Sequence, residues 1–290
     1  MAGGDSHLEQ LRQATNREGS ILRLDTRPQS RSLPVLDQVA KQIAGCTLCP
    51  RLIEYCRRIG QTRRRKYRDQ QYWAKPVPGF GDPQARILVL GLAPGAHGAN
   101  RTGRPFTGDD SGAFMYPVLF DLGLVSKPEA IDRSDGMKLR KLWISSVVRC
   151  APPGDKPAPQ EIRNCSSHLA AELAALPRVQ VVVCLGRIAW EGYLLHLVAQ
   201  GIIQSRADFV FSHGAEYLLP HGIKLLGSYH PSRRNTNTGR LDRPMFARIF
   251  VRALDALDEA GAEAKARRPK QKSIRASSGR RTDCNSSPAG

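Results

Sequence analysis

Four short apolar runs, spaced along the chain with helical patterns between them, restrict what this sequence can fold into. They are RILVLG at 86–91, LWISSVV at 142–148, VQVVVCL at 179–185 and IKLLGS at 223–228. Each is near-continuous in apolar residues, as a parallel strand buried on both faces must be. Helical periodicity fills the gaps at 113–122, 159–176 and 187–199, and a last amphipathic stretch covers 244–258. Alternation of this kind predicts an α/β sandwich with right-handed crossovers. Ligands of such folds collect at the carboxyl ends of the strands. Three segments lie there: the loop at 91–110 and the stretches after 148 and after 228.

The flanks read differently. Residues 1–31 are polar and expected to be flexible, with a short helix near Leu8–Thr15. Val35, Leu36, Val39 and Ile43 have helical period and lead to Gly45, a helix stop. From 262 on, the composition collapses to Lys, Arg, Ser, Ala and Gly, which predicts a disordered basic tail over 262–290. One domain is therefore expected over 32–261. No run of apolar residues is long enough for a membrane span, and the first residues lack the apolar core of a signal peptide. The expected setting is the cytoplasm, in association with the chromosome.

Net charge is +18, and residues 264–290 contribute only +7 of it, so the body is basic too. That favours a polyanionic partner, most simply nucleic acid; solubility alone is the plainer reading. The charge is densest at 57–68, where Arg57, Arg58, Arg63, Arg64, Arg65, Lys66 and Arg68 occur with no acid and aromatic residues follow at once.

The loop GLAPGAHGANRTGRPFTGDD (91–110) is glycine-rich. It has neither the ending of a phosphate loop nor the spacing of a dinucleotide site. Asp109 and Asp110 are its only acids, and one of them can cap a helix starting near Ser111, Asp110 being the better candidate. Phe106 is either a core residue or a base-stacking platform. After the fourth run, His230 emerges at a strand end, facing the first loop. The basic loop that follows, with Arg233, Arg234, Asn235 and Asn237, has the composition of a phosphate-gripping segment.

Seven cysteines, an odd number, argue against a disulfide framework. Cys46 and Cys49 form a CxxC clip, and Cys150 and Cys165 follow at wide spacing. Four such thiolates suit zinc or an iron–sulfur cluster, and the wide second pair favours [4Fe-4S]. The alternative is a chance clip with core thiols elsewhere.

Taken together, GLAPGAHGANRTGRPFTGD, PVPGFGDP, VVRCAPPGDKP and HPSRRNTNTGRL, with the four cysteines, resemble family 5 (B-type) iron–sulfur uracil-DNA glycosylases over about residues 35–258. The resemblance implies a three-layer α/β/α sandwich around a four-stranded parallel sheet, the uracil-DNA glycosylase-like fold. It also implies a [4Fe-4S] cluster on Cys46, Cys49, Cys150 and Cys165. The activity implied is removal of uracil, and of deaminated bases such as hypoxanthine and xanthine, from double-stranded DNA by a monomer, the first step of base excision repair. Like the rest of that branch, the chain has apolar Leu92 and Ala93 where other members of the superfamily place a water-activating polar residue. The acid role therefore moves to Asp109, with His230 as the partner at the base. Gly91, Ala93, Gly95, Phe106 and Ser146 are the expected substrate contacts. Ser146 stands where the family pattern has Asn, four residues before the third cysteine. The other reading of the same features is a non-catalytic damaged-DNA-binding module with a metal-stabilised fold.

Overall fold

The computed structural model describes residues 32–266; the helix expected near Leu8–Thr15 and most of the basic tail lie outside them. Helices α1 (Ser32–Ala44) and α2 (Pro50–Thr62) come first, followed by β1 (Phe80–Gly81) and β2 (Ile87–Gly91). A one-turn helix α3 (Ala99–Thr102), then α4 (Asp110–Asp121), lead to β3 (Leu142–Ser146) and α5 (Pro159–Ala175). The second half runs β4 (Val181–Leu185), α6 (Arg187–Ala199), β5 (Glu216–Leu218), β6 (Lys224–Ser228), α7 (Arg233–Asn237) and α8 (Arg243–Ala266). No helix among the described residues is long and apolar enough to cross a membrane.

The four apolar runs are the four parallel strands β2, β3, β4 and β6, in the spatial order β3-β2-β4-β6. The sheet is wider than the expected four strands. Two- and three-residue strands, β1 and β5, pair antiparallel on its edges and make it six-stranded. Neither edge strand carries a run of apolar residues, because an edge faces solvent and needs none.

Side chains alternate across each strand, and the alternation sorts the core into two halves. Leu88, Leu90, Val182, Cys184 and Leu225 pack under α1, α2, α5 and α6. Ile87, Val89, Ile144, Val181, Val183 and Leu226 pack under α4 and α8. The result is the three-layer sandwich. Helix α2 was not expected, since arginines obscure its period, although Pro50 at its first position is a helix-starting signal. Helix α8 continues to Ala266, beyond the expected end at 258.

The register aligns the carboxyl ends. Gly91 lies opposite Ser146, and Leu185 opposite Ser228. The loops after β2, β3 and β6 therefore leave the sheet side by side. The crossover from β3 to β4 passes over β2, which makes this edge a topological switch point, where such folds bind ligands.

Candidate active site

The loop after β2 is shaped by glycines that leave room for two functional side chains. A Cβ on Gly91 would lie 2.7 Å from Cζ of Phe106, so the bare strand end is what admits that ring. Phe106 itself takes a left-handed backbone conformation (φ 49°). It is both core and cavity wall: it packs with the α4/α8 half of the core and borders the cavity described below. A Cβ on Gly98 would collide with Oδ2 of Asp109, so only glycine lets the loop close around that carboxylate.

Asp109, not Asp110, is the N-cap of α4, and its Oδ1 accepts the Gly112 N–H at 3.0 Å. An extended residue with a short acceptor side chain suits this position. Its second oxygen faces the glycine loop. Burial pushes the Asp109 carboxyl above its ordinary range, and the backbone donors of Gly112 and Ser111 work against that rise. Asp110 is exposed and pairs with Arg233 at 3.3 Å, a contact between the start of α4 and the start of α7.

His230 follows β6. Its ring lies 5.8 Å from that of Phe106, tilted by 31°. Burial lowers its pKa to about 4, so the imidazole is neutral at physiological pH. The backbone behind it is held by Asn235, whose Nδ2 donates to the His230 carbonyl at 2.8 Å. Asn235 therefore faces inward, whereas Asn237 is exposed at the far end of α7.

One cavity of about 470 Å³ brings most of these residues together. Asp109, His230, Phe106, Ala93, Gly95 and Ser146 all line it, as do Arg233 and Arg234 at its mouth. Gly91 does not; it is fully buried behind Phe106. Leu92, Pro94, Ser111, Asp155 and Ser232 also border it and were not assigned from sequence as contacts. Asp155 reaches it from the loop between Cys150 and Cys165. It lies within the stretch VVRCAPPGDKP, where Gly154 and Asp155 both adopt positive φ.

The four candidate thiols come from the α1–α2 junction, the end of the β3 segment and α5. Cys49 is the N-cap residue of α2. Cys49, Cys150 and Cys165 are buried, and all three belong to one side of the core. Cys150 and Cys165 each feel the charge of Cys46, and Cys165 also that of Cys49. Burial pushes the Cys165 thiol up to about 11 and raises that of Cys49 as well. Donors already point at the sulfurs: Asn164 Nδ2 lies 3.4 Å from Cys49 Sγ, and the Arg149 backbone N–H points to Cys165. Among the described residues no three His, Cys, Asp or Glu side chains form a group suited to a single metal ion. A fifth thiol, Cys56, hydrogen-bonds Cys150 and donates to the Ala151 carbonyl at 3.7 Å.

Comparison with known proteins agrees with this architecture. The family model of the uracil DNA glycosylase superfamily matches residues 78–255. A type-5 uracil-DNA glycosylase of Thermus thermophilus is 53% identical over 211 residues, covering 73% of this chain and 93% of the relative. That of Mycobacterium tuberculosis is 44% identical over 73% of this chain and 78% of its own length. One from Pyrobaculum aerophilum is 43% identical over 75% of this chain and 91% of its own. A glycine-moulded loop, a capping aspartate and a neutral histidine at one switch point thus occur in a chain that belongs to the uracil-DNA glycosylase superfamily, in its type-5 branch.

Proposed function

We propose that this protein hydrolyses the N-glycosidic bond of uracil, and of hypoxanthine and xanthine, in double-stranded DNA. The observation that carries the proposal is that a carboxylate, Asp109, and a neutral imidazole, His230, line a single cavity of about 470 Å³ beside an aromatic ring.

The chemistry follows from what the bond requires. The target base must leave the stack, at a cost of a few kcal/mol that is least for a mismatched pair such as U·G. Phe106 offers it a stacking face worth ~1–3 kcal/mol. Loop backbone N–H groups at Ala93 and Gly95, with the Ser146 hydroxyl, provide polar contacts for the base edge. As the bond breaks, the sugar gains cationic character and the base gains negative charge. Asp109 stabilises the first and orients water, by the logic of a carboxylate beside a reacting sugar. His230, being neutral, donates one hydrogen bond to the base oxygen where charge develops. A donor fixed in this way contributes ~2.7–4 kcal/mol. Arg233 and Arg234, at the mouth, grip the phosphates flanking the extruded nucleotide.

Cys46, Cys49, Cys150 and Cys165 would hold a [4Fe-4S] cluster. When bound it would serve as a structural brace between the α1–α2 junction and the β3–α5 segment. The protein is expected to be brown, and removal of the iron should lower its melting temperature; a colourless, equally stable protein would exclude the cluster.

The deciding experiment incubates the protein with duplexes carrying one uracil, hypoxanthine or xanthine, followed by alkali. Strand cleavage at the modified site is expected. Tight binding without base release would instead mark a damaged-DNA-binding module.

A further inference from the structure

The basic segment that starts in the last turns of α2 and runs on towards β1 takes no part in the Asp109–His230 cavity, yet it is the densest run of cations among the described residues. Its seven cations over 57–68, and Lys75 beyond them, are exposed. Among the described residues none of the eight is in an ion pair. The Arg63 guanidinium, for example, donates to the backbone carbonyls of Gly60 and Arg68 and to no carboxylate among the described residues. With Asp69 the single acid within 57–75 and in none of the ion pairs among the described residues, these like charges repel one another in the folded state, and a polyanion relieves that repulsion while releasing its own counterions. The surface is also concave: Arg57, Arg63 and Lys75 line a hollow of about 530 Å³ together with Trp73.

The segment is not a loose arm. Trp73 N–H donates to the Arg101 carbonyl and Ala74 N–H to that of Asn100, both at 2.9 Å. The Tyr72 hydroxyl lies 3.1 Å from His97 Nδ1. Arg101 completes the link from the other side. Its guanidinium donates to Gln70 Oε1 at 2.6 Å and to the Gly108 carbonyl at 2.8 Å, next to Asp109. The loop that carries the candidate catalytic acid thus also anchors the basic segment.

The aromatic rings here are already covered. Arg101 lies 4.0 Å from the centre of the Tyr67 ring, while Arg133 and Lys75 lie 4.2 and 5.6 Å from that of Trp73. Rings taken by cations are not free to stack on bases. The surface therefore offers charge without base readout, which suits phosphates and carries no sequence preference.

We propose that residues 57–75 form a second backbone-binding site, which grips duplex DNA beyond the extruded nucleotide and holds it in fixed relation to the Asp109 loop. The proposal rests on the DNA substrate put forward above, but its test does not need catalysis. The probe is an undamaged duplex long enough to extend past the cavity on both sides. Binding is measured against salt for the whole chain and for the triple variant Arg57→Gln/Arg64→Gln/Arg65→Gln. The variant should bind about tenfold more weakly at low salt. Its slope of log affinity against log salt should be shallower by about 0.9 for each phosphate that is no longer neutralised, up to about 2.7. Single-turnover base release at saturating enzyme should be unchanged. Arg68→Gln/Lys75→Gln, away from the helix, gives an independent reading should the triple variant fold poorly. An unchanged slope in a folded variant overturns the proposal, as does an effect confined to single strands. Should the protein release no base while the slope still shifts, the activity is wrong and the second site stands.

Discussion

At the scale of single residues, Asp109 carries two duties that can be separated. It caps α4 through Oδ1 and is the candidate acid of the cavity. Asparagine caps helices as well as aspartate does, so Asp109→Asn removes the charge and keeps the cap. Turnover should fall by about 10²–10³, the scale of one lost electrostatic stabiliser. Stability has its own signature. Because burial raises the folded pKa, the carboxyl adds stability only in its protonated form, below its unfolded pKa of about 3.9. That contribution is lost as pH rises through the folded value. At pH 7 the asparagine variant should therefore melt no lower than the parent, and thermal denaturation across pH checks this. His230 has the opposite sign. Its pKa falls from about 6.5 unfolded to about 4 folded, so its contribution is complete above 6.5 and is lost as pH drops towards 4. The parent should lose stability across that window more steeply than His230→Gln. Base release should show no His230 titration between pH 6 and 8. A histidine-dependent step there would mean that the imidazolium, not the neutral ring, is the working form.

At the scale of elements, the segment from β3 to α5 joins the cavity to the thiols, and a buried ion pair fixes it. Arg149 Nη2 meets Glu172 Oε2 at 2.8 Å, with side chains only 1% and 2% exposed. Glu172 also accepts the Ser145 hydroxyl at 2.6 Å and the Gly79 N–H at 2.9 Å. Glu172→Gln leaves the guanidinium buried and unpaired, which should cost ~3–5 kcal/mol in urea denaturation. A loss below 1 kcal/mol would show that water reaches Arg149. This pair was not legible in the sequence, because nothing local relates residues so far apart. The strands were legible because full burial demands unbroken apolar runs, and α6 was legible for its length and period. The edge strands were not, being too short to carry a pattern. Helix α2 was hidden because its exposed face is the basic segment itself. In the site, the loops and His230 could be placed from strand ends alone. The assignment of the cap to Asp109 could not, since adjacent aspartates differ only in which one precedes the first helical turn. Nor could the inward turn of Asn235, which depends on how a polar loop coils into α7.

At the scale of the whole molecule, the sheet divides the labour. One face, under α4 and α8, supports Phe106; the other, under α1, α2, α5 and α6, buries three of the four candidate thiols. The open carboxyl edge presents the cavity to a polyanion that the net charge of +18 attracts from a distance. That attraction has two sources of different character. The basic segment at 57–75 is hydrogen-bonded to the loop that carries Asp109, so under the proposal its contacts would have a defined place on the duplex. Residues 267–290, outside the described part, add seven further cations against Asp283 alone. Where the two act on separate phosphates, their contributions should be additive. Deleting 267–290 should weaken binding to undamaged duplex at low salt and flatten the salt slope, while single-turnover base release at saturating enzyme stays within about twofold. Combining the deletion with the triple substitution at 57–65 should sum the two slope changes. A deletion that leaves the slope unchanged would confine all DNA attraction to the folded body. A combined loss smaller than the sum would mean that tail and segment compete for the same phosphates.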